Sequence, residues 1–207
     1  MTDAPDRFFV TDTELVQLLG MTPGDPAATS ARALGLADHL ENADLRRAGI
    51  QSLLVRGLAT LTDGDRLDAV GPAQVVGAVL GRATDWLAFA VEGPNVRART
   101  VLASAPVGAV TIALGPVGVH EVAPLRPDIP LTEPLKLLID AYAANDAMER
   151  PLEVRVRRSQ GADADDVLFT IDADGTWSMP RGRLLTHTGT AAEVWPHVLA
   201  ALAEPQA

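Results

Sequence analysis

The chain has no cysteine, a single lysine and few aromatic side chains. Among its 207 residues, Lys136 is the only lysine and aromatic residues make up 4%. Without cysteine there can be no disulfide framework, thiolate nucleophile or cysteine metal site, so the fold must rest on packing. No run reaches about 20 apolar residues, and the N-terminus is acidic rather than a basic leader. We therefore expect a cytoplasmic protein that does not insert into membranes.

Positive charge is also scarce. The sequence has 17 basic and 27 acidic residues, which gives a formal net charge of −10. A field of this sign repels phosphate backbones and anionic membrane surfaces. Hydrophobic residues make up 47% of the chain, which is ordinary for a globular protein and too apolar for disorder. The composition favours a folded protein with a protein partner, leaves a homodimer open and makes nucleic acid a poor candidate.

In the first part of the chain, apolar residues have the spacing that is typical of amphipathic helices. Thr11 followed three residues later by Glu14 is a capping box for a helix that ends near Gly20. Residues 27–40 and 43–61 have apolar spacings of three and four, which predict two more helices. A turn at Asp63-Gly64 precedes a fourth helix, which has Pro72 at its start.

The pattern changes to β-strands from Trp86 onward. Four runs, residues 86–92, 98–105, 109–115 and 118–124, are joined by gaps of hairpin length and predict an antiparallel sheet. A helix with Thr132 as its cap and Pro134 in its first turn follows. Strands over 151–159 and a hairpin around Asp174-Gly175 then lead to a C-terminal amphipathic helix over 190–202.

This order predicts an α+β fold. It has N-terminal helices with a winged-helix-like segment, an antiparallel sheet, and then a helix, strands and a C-terminal helix. We expect a single domain over residues 1–207. The repeated helix and strand order hints at a quasi-twofold layout with halves 1–125 and 126–207.

The stretch "SLLVRGLATLTDGDRL", residues 52–67, is typical of a winged helix and raises the alternative of a transcriptional regulator with a β-rich sensing or dimerisation region. Its recognition helix would span residues 44–61. A DNA-binding patch would need the arginines of this region, which are Arg32, Arg46, Arg47, Arg56 and Arg66. The predicted wing holds two aspartates and one arginine, whereas a wing that contacts DNA presents net positive charge. The segment therefore predicts a winged-helix-like fold that does not bind nucleic acid.

No motif of catalysis or metal binding is present. The histidines (His39, His120, His187 and His197) have no metal-ligand spacing, and the serines lack the G-x-S-x-G frame. Asp163, Asp165 and Asp166 lack the glycine and glutamate of an EF-hand in register. The strongest basic cluster, "RVRRS" at 155–159, is expected to face water or acidic neighbours on an edge strand. We predict a protein that is not an enzyme, with no catalytic residues, no cofactor and no metal.

The remaining signal is apolar. Residues 103–119 are nearly free of charge, which favours a central strand pair in the core. Small and β-branched residues can also form a flat surface for a partner. We place candidate partner-binding residues at Val107, Val110, Ile112 and Leu114.

With this order in hand, the sequence resembles the EspG-type chaperones of type VII secretion in actinobacteria. The similar features are "TDTELVQLLG", "LLVRGLATLTDGDRLDAVGPA", a run of strands opening with "WLAFAVE", and a tail combining "GTWSMPRGRLL" with "AAEVWPHVLAAL". The resemblance implies a quasi-symmetric α+β protein that binds the apolar end of a helical secretion substrate in the cytosol. Our expectation is therefore a cytoplasmic adaptor or chaperone that shields an apolar surface of such a partner.

Overall fold

The structure is a computed structural model that describes residues 8–62, 66–159, 166–181 and 185–203. Within these ranges it contains six α-helices and eleven β-strands, with short 3-10 turns at Ala37–His39 and Pro116–Gly118. The helices are α1 Asp12–Gly20, α2 Asp25–Leu34, α3 Ala43–Val55, α4 Gly71–Leu80, α5 Thr132–Ala143 and α6 Ala191–Ala203. The strands are β1 Phe8–Thr11, β2 Ala59–Thr62, β3 Arg66–Ala69, β4 Asp85–Gly93, β5 Val96–Ala105, β6 Gly108–Leu114, β7 Val119–Leu125, β8 Leu152–Ser159, β9 Asp166–Ile171, β10 Trp177–Arg181 and β11 Leu185–Gly189.

In the described ranges the strands form one large antiparallel sheet and one small hairpin. The hydrogen-bonded order of the large sheet is β1-β7-β6-β5-β4-β8-β9-β10-β11, and β2 pairs with β3 alone. The predicted α+β class is therefore confirmed, including the helix followed by a two-stranded wing. The predicted turn at Asp63-Gly64 and the acidic residues Asp163 and Asp165 lie outside the described residues.

The chain divides into two compact units. The first comprises Met1–Trp86 and Val101–Ile129, and the second comprises Leu87–Thr100 and Pro130–Ala207. Strands β4 and β5 each contribute residues to both units, which therefore interleave along the chain. The predictions of a single domain and of halves meeting at residue 125 stay predictions.

The first unit packs its helices around buried leucines. Thr11 caps α1 as predicted, because its hydroxyl accepts the Glu14 amide at 3.3 Å and its own amide donates to Glu14 Oε2 at 2.9 Å. The largest fully buried side chains of α1, α3 and α4 are leucines, which are Leu15, Leu18, Leu19, Leu53 and Leu80. Buried Ser30 accepts the Trp86 indole N–H at 2.9 Å and donates to the Leu80 carbonyl at 2.7 Å. These bonds satisfy the Ser30 hydroxyl and the Trp86 indole N–H within this core.

Three helix boundaries differ from prediction. The helix expected over 27–40 ends at Leu34, because Gly35 takes a left-handed conformation at φ 79°. The helix expected to reach Leu61 ends at Val55, where Gly57 at φ 66° turns the chain into β2. The prediction of Thr132 as a cap is wrong, since the capping position is Leu131 without a side-chain bond, and Thr132 is already helical.

The second unit has an alternating sheet and two helices. Val154 and Val156 of β8 are buried while Glu153, Arg155 and Arg157 face outward, as the sequence pattern predicts. Phe169 and Trp177 stack with ring centroids 5.1 Å apart, and β9 pairs with β10 around the predicted turn at Asp174-Gly175. Strand β8 lies between β4 and β9, so the prediction that "RVRRS" is on an edge strand is wrong. Strands β1 and β11 at the two sheet edges were not predicted.

Candidate protein-binding surface

A buried histidine fixes the turn between β6 and β7 against the start of α1. His120 of β7 is 5% exposed. Its Nδ1 accepts the Gly115 amide at 3.2 Å, so its Nε2 carries the proton and donates to Asp12 Oδ1 at 2.7 Å. His120 is therefore a packed residue of strand β7. Its partner, 108 residues away in the chain, left no local signal in the sequence.

This turn holds an apolar side chain in solvent. Val117 has a left-handed backbone with φ 56°, and 94% of its surface is exposed. A β-branched residue seldom adopts this conformation, which costs on the order of 1–3 kcal/mol. The next residue, Gly118, also has a positive φ, and a Cβ there would lie 2.3 Å from Asp12 Oδ2. The positive φ favours glycine at position 118, and Val117 lies beside it at the tip of the turn.

Two more exposed apolar residues lie on the adjoining strands. In the β1–β7 register, Phe9 is opposite Glu121 and Thr11 is opposite Val119, so Phe9 and Val119 are diagonal neighbours on one face. Phe9 is 56% exposed and Val119 is 41% exposed. We call Phe9, Val117 and Val119 the β1 edge surface.

The four residues predicted to bind a partner have different environments. Val110 and Ile112 are 1% and 0% exposed, so neither is available to a partner in this structure. Val107, at the turn between β5 and β6, is 50% exposed, and Leu114 is partly exposed. That these four residues bind a partner stays a prediction. The same segment also exposes Val117 and Val119, which were not predicted and which the break "GPVG" could have indicated.

Arginine 56, at the end of α3, is bound to a buried carboxylate. The side chain of Glu14 is fully buried and accepts Arg56 Nη1 at 2.8 Å on Oε1 and at 2.7 Å on Oε2. Ser52 donates to the same carboxylate at 2.6 Å, and Arg56 Nη2 donates to the Phe9 carbonyl at 2.8 Å. Arg56 thereby joins α1, α3 and β1, and this structural role was not predicted.

The other arginines required for a DNA-binding patch also have intramolecular partners. Arg47 pairs with Asp44 at 3.5 Å, and Arg66 of the wing pairs with Asp68 at 2.9 Å. Arg46 donates to Gln17 at 3.3 Å and Arg32 donates to Thr29 at 2.8 Å. Three of the five arginines therefore face a carboxylate, which reduces the positive field of this region.

The wing presents leucine rather than cations on one of its faces. Leu61 of β2 is opposite Leu67 of β3, and Leu61 is 56% exposed. The opposite face carries the Thr60–Asp68 and Thr62–Arg66 pairs. This combination suits contact with a protein better than contact with phosphates.

Two histidines from neighbouring elements of the chain meet in the second unit. The rings of His187 in β11 and His197 in α6 are stacked, with centroids 3.6 Å apart and an interplanar angle of 8°. The parts of the chain that the structure describes contain no group of three or more side chains that could hold a metal ion. None of their helices is long and apolar enough to cross a membrane.

The fold and its surfaces define an α+β protein with exposed apolar residues at one sheet edge. No protein-family model and no curated protein match the chain. Among solved structures, it is similar to the Mycobacterium tuberculosis type VII secretion system chaperone EspG5, whose structure is in complex with the PE25-PPE41 dimer. The TM-score is 0.58 at 12% sequence identity, and the match covers 98% of this chain and 99% of that chain. Because the sequence identity is only 12%, this similarity shows an EspG-like fold and nothing further.

Proposed function

We propose that this chain is a cytoplasmic adaptor or chaperone of the EspG type that shields an apolar surface of a helical partner protein. The observation that carries the proposal is the β1 edge surface, above all Val117, which is kept in solvent at the expense of backbone strain. Strained positions are found where the surrounding structure imposes them, and they concentrate at functional sites. The similarity to EspG5, a chaperone whose structure is in complex with a protein dimer, supports the same function.

The charges of the first unit favour a protein partner over DNA. Arg56 is bound to buried Glu14, and two more arginines face carboxylates. Phosphate neutralisation needs several cations in one patch, each able to approach the backbone. The exposed leucine of the wing has no role in reading a phosphate backbone. The proposal of a winged-helix regulator therefore gains no support from the arrangement of these side chains.

The test is capture of a partner followed by measured affinities. The tagged chain is incubated with lysate of its own organism, and a protein recovered at stoichiometric amounts is identified by mass spectrometry and purified. Its affinity is then measured for wild type and for Val117→Asp and Phe9→Asp. Aspartate tolerates a left-handed backbone better than valine, so Val117→Asp should remain folded. We expect at least tenfold weaker binding by each variant.

The matched control is Leu137→Asp in α5. Leu137 is 70% exposed and lies in the second unit, outside the β1 edge surface. This variant adds the same charge to an apolar position whose exposure lies between those of Phe9 and Val117, and it should bind like wild type. Equal affinity of Val117→Asp, Phe9→Asp and wild type, or no captured helical protein, would contradict the proposal.

A further inference from the structure

The turn between β9 and β10 contains Asp174-Gly175, one of two Asp-Gly pairs in the sequence. Asp-Gly is a reactive pair, because the glycine amide nitrogen can attack the side-chain carbon Cγ of the aspartate without hindrance from a side chain of its own. Both residues are exposed, and a Cβ at Gly175 would meet nothing within 4 Å. Packing around the turn therefore does not prevent this attack.

The reaction converts aspartate into isoaspartate in two steps. In the first step, the Gly175 nitrogen bonds to Cγ of the protonated Asp174 carboxyl, the bond from Cγ to its hydroxyl group breaks, and this group leaves as water with the amide proton. In the second step, water adds to the main-chain carbonyl of Asp174 in the cyclic imide and breaks its bond to the nitrogen. The chain then continues through Cγ, which adds one atom to the backbone of the turn.

The folded turn holds both reacting groups in other hydrogen bonds. The Gly175 amide donates to the Asp172 carbonyl at 3.0 Å, so the nitrogen must give up this bond before it attacks. Oδ1 of Asp174 accepts the Thr176 amide at 2.9 Å, which holds the carboxylate toward the residue after the glycine. The Asp172 amide donates to the Thr176 carbonyl at 2.9 Å and closes the loop. Gly175 has a left-handed backbone at φ 80°, as in a three-residue hairpin loop.

The ionisation of Asp174 acts in the same direction. The Thr176 amide and then the Thr176 hydroxyl donate to this carboxylate, and both bonds lower the pKa of Asp174. Only the protonated carboxyl has a hydroxyl group to lose as water. The bonds from Thr176 therefore reduce the amount of the reactive form at neutral pH.

We propose that Asp174 is a site of isoaspartate formation that the folded β9–β10 turn protects and that reacts when the turn opens. The inference goes beyond the proposed function and does not depend on it, since it concerns the chemistry of the chain itself. The turn leads directly into Trp177, which is buried and stacks on Phe169. An added backbone atom would disturb the hairpin that forms this stack, so the protection preserves part of the core of the second unit.

The first experiment compares the folded and the unfolded chain. The full chain is incubated at neutral pH with and without urea at one temperature, and isoaspartate at positions 63 and 174 is measured over time by peptide mapping. In urea the Asp63-Gly64 pair serves as the chemical reference, and the two pairs should react at similar rates. Without urea, isomerisation of Asp174 should be at least tenfold slower than in urea, because it requires local opening of the turn. Equal rates at position 174 in both conditions would overturn the proposal.

The variant Asp174→Asn separates the hydrogen bonds of the turn from ionisation. Asparagine keeps the oxygen that accepts the Thr176 amide but has no carboxyl to ionise, and attack by the Gly175 nitrogen releases ammonia instead of water. We expect deamidation of this variant to be at least tenfold slower in the folded chain than in urea. Equally fast deamidation in both states would mean that the turn itself gives no protection, contrary to the proposal.

The matched pair of variants is Ala173→Gly and Ala147→Gly. Ala173 is exposed within the turn and Ala147 is exposed in another loop of the second unit. Glycine loosens the backbone to a similar extent at both positions, so Ala173→Gly should isomerise at Asp174 about twofold to fivefold faster than wild type. Ala147→Gly should react like wild type. Equal acceleration by both variants would assign the protection to overall stability rather than to this turn and would overturn the proposal.

Discussion

At the scale of single residues, the contacts of Glu14 are those on which the stability of the first unit should depend most. Its fully buried carboxylate is held by Arg56, by the Ser52 hydroxyl and by the Thr11 amide, which lie in or beside three different elements. A buried charge that loses its partner keeps its desolvation penalty without the compensating attraction. The stability of the first unit should therefore be sensitive to these contacts and insensitive to the exposed ion pairs.

Arg56→Ala should lower the free energy of unfolding by about 3 kcal/mol, because it leaves the Glu14 carboxylate buried and without its cation. The control is Arg47→Ala on the same helix, whose partner Asp44 is 90% exposed. An exposed pair of this kind contributes roughly 0–1 kcal/mol. Urea unfolding of the two variants measures the difference. Equal losses of unfolding free energy in both variants would mean that the contacts of Glu14 stabilise the fold no more than an exposed ion pair does.

The stability of the chain should also depend on pH through Glu14. Burial raises the pKa of this carboxyl, but the bonds from Ser52, Thr11 and Arg56 and the charge of Arg56 outweigh burial and hold the pKa below its ordinary value. The unfolded state then binds more protons, so the free energy of unfolding decreases as pH falls. The stabilisation that ionised Glu14 provides is complete above the ordinary glutamate pKa of about 4.3. It is lost as pH falls through the lower pKa that Glu14 has in the folded state.

Comparison with Glu14→Gln measures this contribution. The difference in unfolding free energy between wild type and Glu14→Gln should be largest near neutral pH and should shrink below about pH 4. Glu92→Gln serves as control, since Glu92 is 55% exposed and 3.6 Å from Arg97. Its difference from wild type should be small at every pH. A Glu14→Gln difference that is constant from neutral to acidic pH would show that this carboxyl does not set the acid stability.

At the scale of elements, two helix glycines should respond oppositely to alanine. A Cβ at Gly49 of α3 would lie 2.1 Å from the Thr13 carbonyl oxygen of α1, so this position sets how closely the helices approach. A Cβ at Gly77 of α4 would lie 3.5 Å from Leu18 Cδ2, an ordinary contact. Both glycines are buried inside helices, which makes each the control for the other.

We expect Gly49→Ala to destabilise the chain by about 1–3 kcal/mol through overpacking. Gly77→Ala should be neutral or stabilising by up to about 1 kcal/mol, because alanine has the higher helix propensity. Chemical denaturation of both variants in one buffer gives the comparison. If Gly49→Ala were as stable as Gly77→Ala, α1 and α3 could move apart without loss of stability. This result would contradict the prediction that the glycine sets their distance.

Most helices and strands could be predicted from the sequence, and a few could not. Periodicity and capping gave the helices and the main strands, since these signals lie within one element: Thr11 and Glu14 cap α1, and alternating valines mark β8. Two short edge strands, β1 and β11, have only four and five residues and carry too little pattern. The end of α3 depends on the backbone of Gly57, and apolar spacing alone extends the helix past it.

The candidate sites were less predictable because they depend on pairing between distant strands. Strand β8 lies beside β4 in the sheet, and no spacing in the sequence indicates this pairing. The turn that exposes Val117 is bonded to α1 through His120 and Asp12, which are 108 positions apart. Sequence patterning located the apolar segment 103–119 and the cluster "RVRRS". It could not show which side chains of segment 103–119 face solvent.

At the scale of the whole molecule, the net charge of −10 and the pairing of the wing-region arginines make a prediction about nucleic acid. A protein that neutralises several phosphates binds DNA with a steep dependence on salt. Here the long-range field is repulsive, and Arg56 can reach a phosphate only by leaving buried Glu14. We therefore expect no measurable binding to a random duplex of about 30 base pairs, even near 50 mM salt.

Fluorescence anisotropy with labelled duplex measures this binding directly, and Arg46→Gln combined with Arg47→Gln provides the comparison variant. These two arginines lie on α3, in the place of a recognition helix, and neither has buried Glu14 as partner. Salt-sensitive binding by wild type that the double variant loses would contradict the prediction and establish α3 as a DNA-reading helix. Equal absence of binding in both would mean that the helix and wing keep the winged-helix layout for a purpose other than nucleic acid. The exposed Leu61 on that wing is then the side chain to examine next for contact with the partner.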